Sequence, residues 1–196
     1  LHVFEERYRA LIHRLLREPD PAHRLFGSVA IREGYEVGDH GAQSLFRVGC
    51  RMQLTEFSAH ADGSFDIEAV GRDRLRLEEL HTSGDFPEGV VSPLDLEDDA
   101  CPDEVVARAL AAFTHYRRAV AEFRGDPLTG DLLQDPTYLS WTLAAAAPLA
   151  LPERQSLLEY DDTTQRLTLV TDLLNAELRA MRVLPSLPAT EVARTR

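Results

Sequence analysis

Six acidic side chains crowd the ten positions from Asp95 to Glu104, and the hydrophobic rhythm of the chain changes across them. Before this stretch, one opening helix apart, apolar residues recur at every second position. After it they recur every three or four. The first rhythm suits strands that bury one face, the second helices that bury one stripe. Strands first and helices second give an α+β chain with segregated halves rather than alternating βαβ units. The boundary is expected inside the acidic stretch, with regions of residues 1–97 and 98–196.

Phe4, Tyr8, Leu11, Ile12 and Leu15 define the stripe of a helix over residues 4–17, stopped near Pro19 and Pro21. Leu25 to Arg32 reads as a strand, and the glycine-containing segment 33–44 as a surface loop. From Leu45 the alternation puts Phe46, Val48, Cys50, Met52 and Leu54 on one face and Arg47, Arg51, Gln53 and Thr55 on the other. Asp62-Gly63 marks a hairpin turn into the next strand. From Phe65 to Leu77 the parity of that strand is constant, so Gly71 is expected to face inward, at a bulge or a close backbone approach. Arg72, Arg74 and Arg76 then share a solvated face. Val90 and Val91 suit a last strand, which Pro93 restricts to an edge.

In the second half Pro102, Asp103 and Glu104 suit a helix start, and Val106, Ala109, Leu110, Phe113, Tyr116, Val120 and Phe123 continue at helical period. Asp135-Pro136 caps a helix through Ala147, with Tyr138, Leu139 and Trp141 expected to pack the bundle. Leu151-Pro152-Glu153 opens a short helix, and Asp162 or Thr163 caps the last.

The residue inventory excludes several chemistries. All 21 basic residues are arginine. Without lysine the chain holds no Schiff-base site, no Ser-Lys dyad and no phosphate-binding loop of the G-x-x-x-x-G-K-[ST] type. A net charge of −12 opposes nucleic-acid binding, which relies on cations facing phosphates. No apolar run is long enough to span a bilayer. Cys50 and Cys101 are expected to be free thiols in a reducing cytoplasm. His2, His13, His23, His40, His60, His81 and His115 show no metal-ligand spacing, so neither metal nor cofactor is expected, and no catalytic residue stands out.

Four stretches carry a family resemblance. They are Leu1-His2-Val3-Phe4-Glu5-Glu6-Arg7-Tyr8-Arg9, Leu25 to Gly49 with its glycines, Gly71-Arg72-Asp73-Arg74-Leu75, and Leu157-Leu158-Glu159 followed by Thr163 to Leu174. In this order they resemble the N-terminal, substrate-binding domain of the Lon protease family. Glu6 stands where the family commonly has proline, and Leu75 where the last motif usually ends in phenylalanine. The resemblance implies a PUA-like, partly closed β-barrel followed by an α-helical bundle, with one more strand expected upstream of Leu1. Phe4, Glu5, Arg7, Tyr8, Gly71 and Arg74 belong to its structural motifs. Glu5, beside the apolar stripe of the first helix, can pair with Arg9 one turn on. As a half-buried acid it is expected to reach Arg74 and lock helix to barrel rather than contact substrate.

The function expected on these grounds is non-catalytic recognition of unfolded or degron-bearing polypeptides in protein quality control, through an apolar groove between barrel and helices. A separate protease or ATPase is a candidate partner. Tyr35 and Phe86, loop aromatics, are the candidate contact residues. Two alternatives remain: an RNA-binding PUA-like domain, and a hydrolase with an unrecognised site in the barrel mouth.

Overall fold

A computed structural model describes residues 1–32, 45–94, 100–121, 132, 135–147 and 149–183. The chain divides into two compact units, Leu1–Asp95 and Leu96–Arg196. The class is α+β: an open antiparallel sheet in the first unit and helices in the second.

The first unit runs β1 (His2–Val3), α1 (Glu6–Leu16), a 3-10 turn (Pro21–His23), β2 (Leu25–Ile31), β3 (Leu45–Ala59), β4 (Phe65–His81) and β5 (Glu88–Leu94). Strand order is β1-β4-β3-β2, with β5 also on β4. One edge of β4 is therefore shared, by β1 opposite Phe65 and Asp66 and by β5 from Arg74 to His81. The turn expected at Asp62-Gly63 is present. Gly63 has φ of 83°, which only glycine adopts cheaply, and Asp62 accepts from the Ser64 amide at 3.0 Å.

Ile12 and Leu15 of α1 are buried against Val3, Leu54, Phe65 and Ile67. Each such aliphatic side chain contributes roughly 1.5–3 kcal/mol by leaving water. Phe4 and Tyr8 do not join them: Phe4 is 66% exposed and Tyr8 is also exposed. The expected stripe is thus narrower at its N-terminal end, because α1 begins only at Glu6 and Phe4 lies ahead of it.

The uniform parity expected for β4 also needs correction. Arg51 opposes Asp73 but Met52 opposes Gly71, so β4 carries an extra residue at Arg72. A bulge of this kind changes which side chains face the core. Leu75 and Leu77 accordingly leave the cluster beneath α1 and pack beside Gly27 and Gly89. Arg74, expected on a solvated face, is only 5% exposed. A second extra residue, Thr55, shifts β3 between Leu54 and Glu56.

The second unit holds α2 (Asp103–Ala121), α3 (Pro136–Ala146), α4 (Leu151–Glu159) and α5 (Thr163–Val183). Asp135 accepts from the Tyr138 amide at 2.8 Å, and Asp162 from the Gln165 amide at 2.9 Å, so both expected caps form. Phe113, Tyr116, Leu139, Leu143, Leu157, Leu167, Val170 and Leu174 fill the core. Trp141 is half-buried as expected of a packing residue, whereas Tyr138 is exposed. At the centre Arg166 is fully buried. Its guanidinium donates to the Leu157 carbonyl at 3.3 Å, Ser140 Oγ at 3.0 Å and the Tyr160 carbonyl at 2.5 Å, and it lies 3.9 Å from the Trp141 ring centroid.

Two stability outcomes are expected. At Gly49 an added Cβ would collide with the Ser28 carbonyl oxygen and sit 2.6 Å from Val29 Cγ1, whereas at Gly27 it would meet only Leu75 Cδ2 at 3.6 Å. Gly49→Ala should lower stability by about 1–3 kcal/mol in urea unfolding, and Gly27→Ala by clearly less. Arg166→Ala leaves buried carbonyls without a donor and should cost more than about 2 kcal/mol, part of which Arg166→Lys recovers.

Candidate polypeptide-binding surface

A strand without a neighbour presents a row of unused main-chain donors and acceptors. Among the described residues such rows lie along the outer side of β2, the outer side of β5, and the part of β4 between its β1 and β5 partners. The three differ in chemistry. β5 contains Glu88 and Pro93, and the open part of β4 contains Glu68, Arg72 and Asp73. Charges and proline discourage strand addition. β2, reading Leu25-Phe26-Gly27-Ser28-Val29-Ala30-Ile31, has neither.

Side chains leave the β2 backbone approachable. Gly27 and Ser28 are exposed and small, while Val29 and Ala30 are half-buried. Ile31 is 45% exposed at the end of the strand. The other side of β2 is fixed on β3 in the register Leu25 with Gln53 to Val29 with Gly49. The close approach at Gly49 holds the two strands together without a side chain between them. The result is a short, uncharged edge of fixed geometry, suited to main-chain pairing with an extended peptide.

Of the two loop aromatics, Phe86 is half-buried in the turn between β4 and β5, and Tyr35 lies outside the described residues. Phe4, Glu5, Arg7 and Tyr8 gather at the start of α1. Glu5 is exposed and accepts from Arg7 Nε at 3.0 Å, and the Arg7 guanidinium lies 4.6 Å from the Tyr8 ring centroid. The expected lock between Glu5 and Arg74 is not formed. Glu5 precedes the helix and turns its carboxylate to solvent, while Arg74 is buried in β4. Gly71 sits at the bulge, with its Cβ position 3.4 Å from Cys50 Sγ.

Spacing along the chain gave no sign of a cluster formed by His2 of β1, Asp66 of β4 and His60, which lies just beyond the end of β3. Cys50 is half-buried, and burial, followed by the Asp73 carboxylate, pushes its thiol up from the usual range despite an opposing pull from Arg74. That is the reverse of what an activated nucleophile needs. Among the described residues no helix is long and apolar enough to cross a membrane.

Comparison with known proteins agrees with this architecture. A crystal structure of a Lon N-terminal domain protein from Xanthomonas campestris matches with a TM-score of 0.59 at 25% identity, covering 92% of this chain and 86% of that one. The N-terminal domain of a Mycobacterium avium complex Lon protease shares the fold, with a TM-score of 0.59 at 18% identity over 89% of each chain. In sequence, Lon protease from Escherichia coli K12 is 26% identical over 146 residues, 73% of this chain and 19% of its own length. Lon protease 2 from Syntrophobacter fumaroxidans is 27% identical over 189 residues, 93% of this chain and 23% of its own length. The chain therefore spans about a fifth of these relatives, and the part matched is their substrate-binding domain, not a catalytic one. Residues 1–176 match the family described as the ATP-dependent protease La (LON) substrate-binding domain, and the chain belongs to that family.

Proposed function

We propose that this chain is a non-catalytic recognition module that holds unfolded or degron-bearing polypeptides by strand addition along β2. The observation that carries the reading is the uncharged, proline-free edge of Leu25–Ile31. Main-chain pairing requires an extended client and reads little of its sequence, as suits a receptor in protein quality control. A folded client has already satisfied its backbone and offers nothing to pair. Phe86, between β4 and β5, and Tyr35 remain further candidate contacts in this reading. The chain works in the cytoplasm and presents clients to a protease or ATPase partner, as the Lon family membership suggests. The PUA-like character of the first unit belongs to the same reading. The chain's net charge of −12 argues against RNA as the ligand.

Binding should be seen with a permanently unfolded protein, such as reduced and carboxymethylated lactalbumin, and not with its native form. Ile31→Lys places a charge on the β2 edge and should weaken that binding about tenfold while leaving the melting temperature nearly unchanged. Equal affinity for native and unfolded forms would contradict the reading, as would an undiminished affinity in Ile31→Lys. The raised Cys50 thiol gives a separate outcome. Cys50 should react with iodoacetamide at pH 8 several-fold more slowly than glutathione, measured by peptide mass spectrometry, because less of it is thiolate. A faster reaction would mark it as activated.

A further inference from the structure

We propose that His2, His60 and Asp66 form a binding site for a divalent transition metal of the zinc class. The site follows from strand pairing. Val3, Phe65 and Ile67 face the core, which turns His2 and Asp66 to the other side of the sheet. His2 is directly opposite Asp66, and Val3 opposite Phe65. On the far side of β4, Ser58 is opposite Asp66, and His60 lies two residues beyond Ser58 on the same face. One carboxylate on the middle strand is thus flanked by an imidazole on each side.

The donor atoms already converge. His2 Nδ1 is 2.9 Å from Asp66 Oδ1, and His60 Nε2 is 2.7 Å from Asp66 Oδ2. The ligating atoms of the three residues lie within 4.8 Å of one another. Tetrahedral zinc with bonds near 2.0–2.1 Å separates its ligand atoms by about 3.3 Å, so the two rings, now on different oxygens of Asp66, need small rotations to reach one ion. Without an ion His2 Nδ1 and His60 Nε2 each donate to the carboxylate, which only accepts, so metal binding must move that proton to the other ring nitrogen or release it.

The backbone holds these residues in place before any ion arrives. The Leu1 nitrogen donates to the Ile67 carbonyl and the Ile67 amide to the Leu1 carbonyl, both at 2.8 Å, which fixes β1. His60 is held on both sides of the turn, its amide donating to the Ser64 carbonyl at 2.9 Å and its carbonyl accepting from Gly63 at 3.0 Å. The Phe4 ring stacks on His2 with centroids 6.0 Å apart. All three ligands are exposed, which leaves the remaining coordination positions to water. Two imidazoles and one carboxylate favour zinc, nickel, cobalt or copper over the oxygen-seeking magnesium and calcium. A bound ion would tie β1 to the β3–β4 hairpin and stabilise the first unit by mass action. None of this depends on how the chain recognises polypeptides.

The test is calorimetric titration of the full chain with zinc chloride in a buffer that does not chelate. Wild type should bind one ion saturably below about 1 mM and melt at a higher temperature when loaded. His60→Ala and Asp66→Ala should each weaken binding roughly tenfold or more and remove the zinc-dependent shift. His81→Ala, which alters another histidine beside a carboxylate, should bind as wild type does. Circular dichroism of the metal-free variants checks that they fold. Unchanged affinity in folded His60→Ala would overturn the proposal, as would no saturable binding by wild type.

Discussion

Every other element of the first sheet, directly or through one neighbour, hangs on the hydrogen bonds of β4. Its 17 residues pair with β3 along one side and with β1 and β5 in succession along the other. A strand of that length cannot stay flat, since the twist of neighbouring strands accumulates. The extra residues at Arg72 and Thr55 bend the ladder and add to its twist, and they change which side chains face the core. Hence Phe65 and Ile67 meet α1 while Leu75 and Leu77 pack on the opposite face. The open edge of β2 and the histidines around Asp66 both owe their positions to that ladder.

The second unit is organised differently, around a buried cation. Arg166 of α5 donates to groups from α3, from α4 and from the residue that follows α4, while its planar face meets Trp141. Burying a charge costs several kcal/mol unless its donors are occupied. Fixed carbonyls offset that cost only when the surrounding helices take one arrangement, so the same residue that threatens the core also specifies it.

Local features of this fold are written locally. Asp62-Gly63, Asp135-Pro136 and Asp162 each act within three residues, and the sequence reads them directly as a turn and two caps. Pro93 likewise announces an edge strand. What depends on register is not readable in this way. Arg72 as the extra residue and Arg74 as buried both follow from how two strands slide past each other. A change of one residue in that register turns a side chain to the opposite face. The same reason hides the His2–Asp66–His60 cluster, since His2 meets Asp66 only through the pairing of β1 with β4. For the binding surface, the apolar, uncharged run of β2 is plain in the sequence, but that no described strand pairs with its outer side is a property of topology.

Membership of the Lon substrate-binding family and an open sheet edge lead to one physical picture, a client held by its backbone rather than by its side chains. Hydrogen–deuterium exchange on the chain with and without an unfolded client tests it most directly. Amides of Leu25–Ile31 should gain protection when the client binds, by more than those of β5. Client binding that leaves the β2 amides exchanging as before would contradict strand addition there.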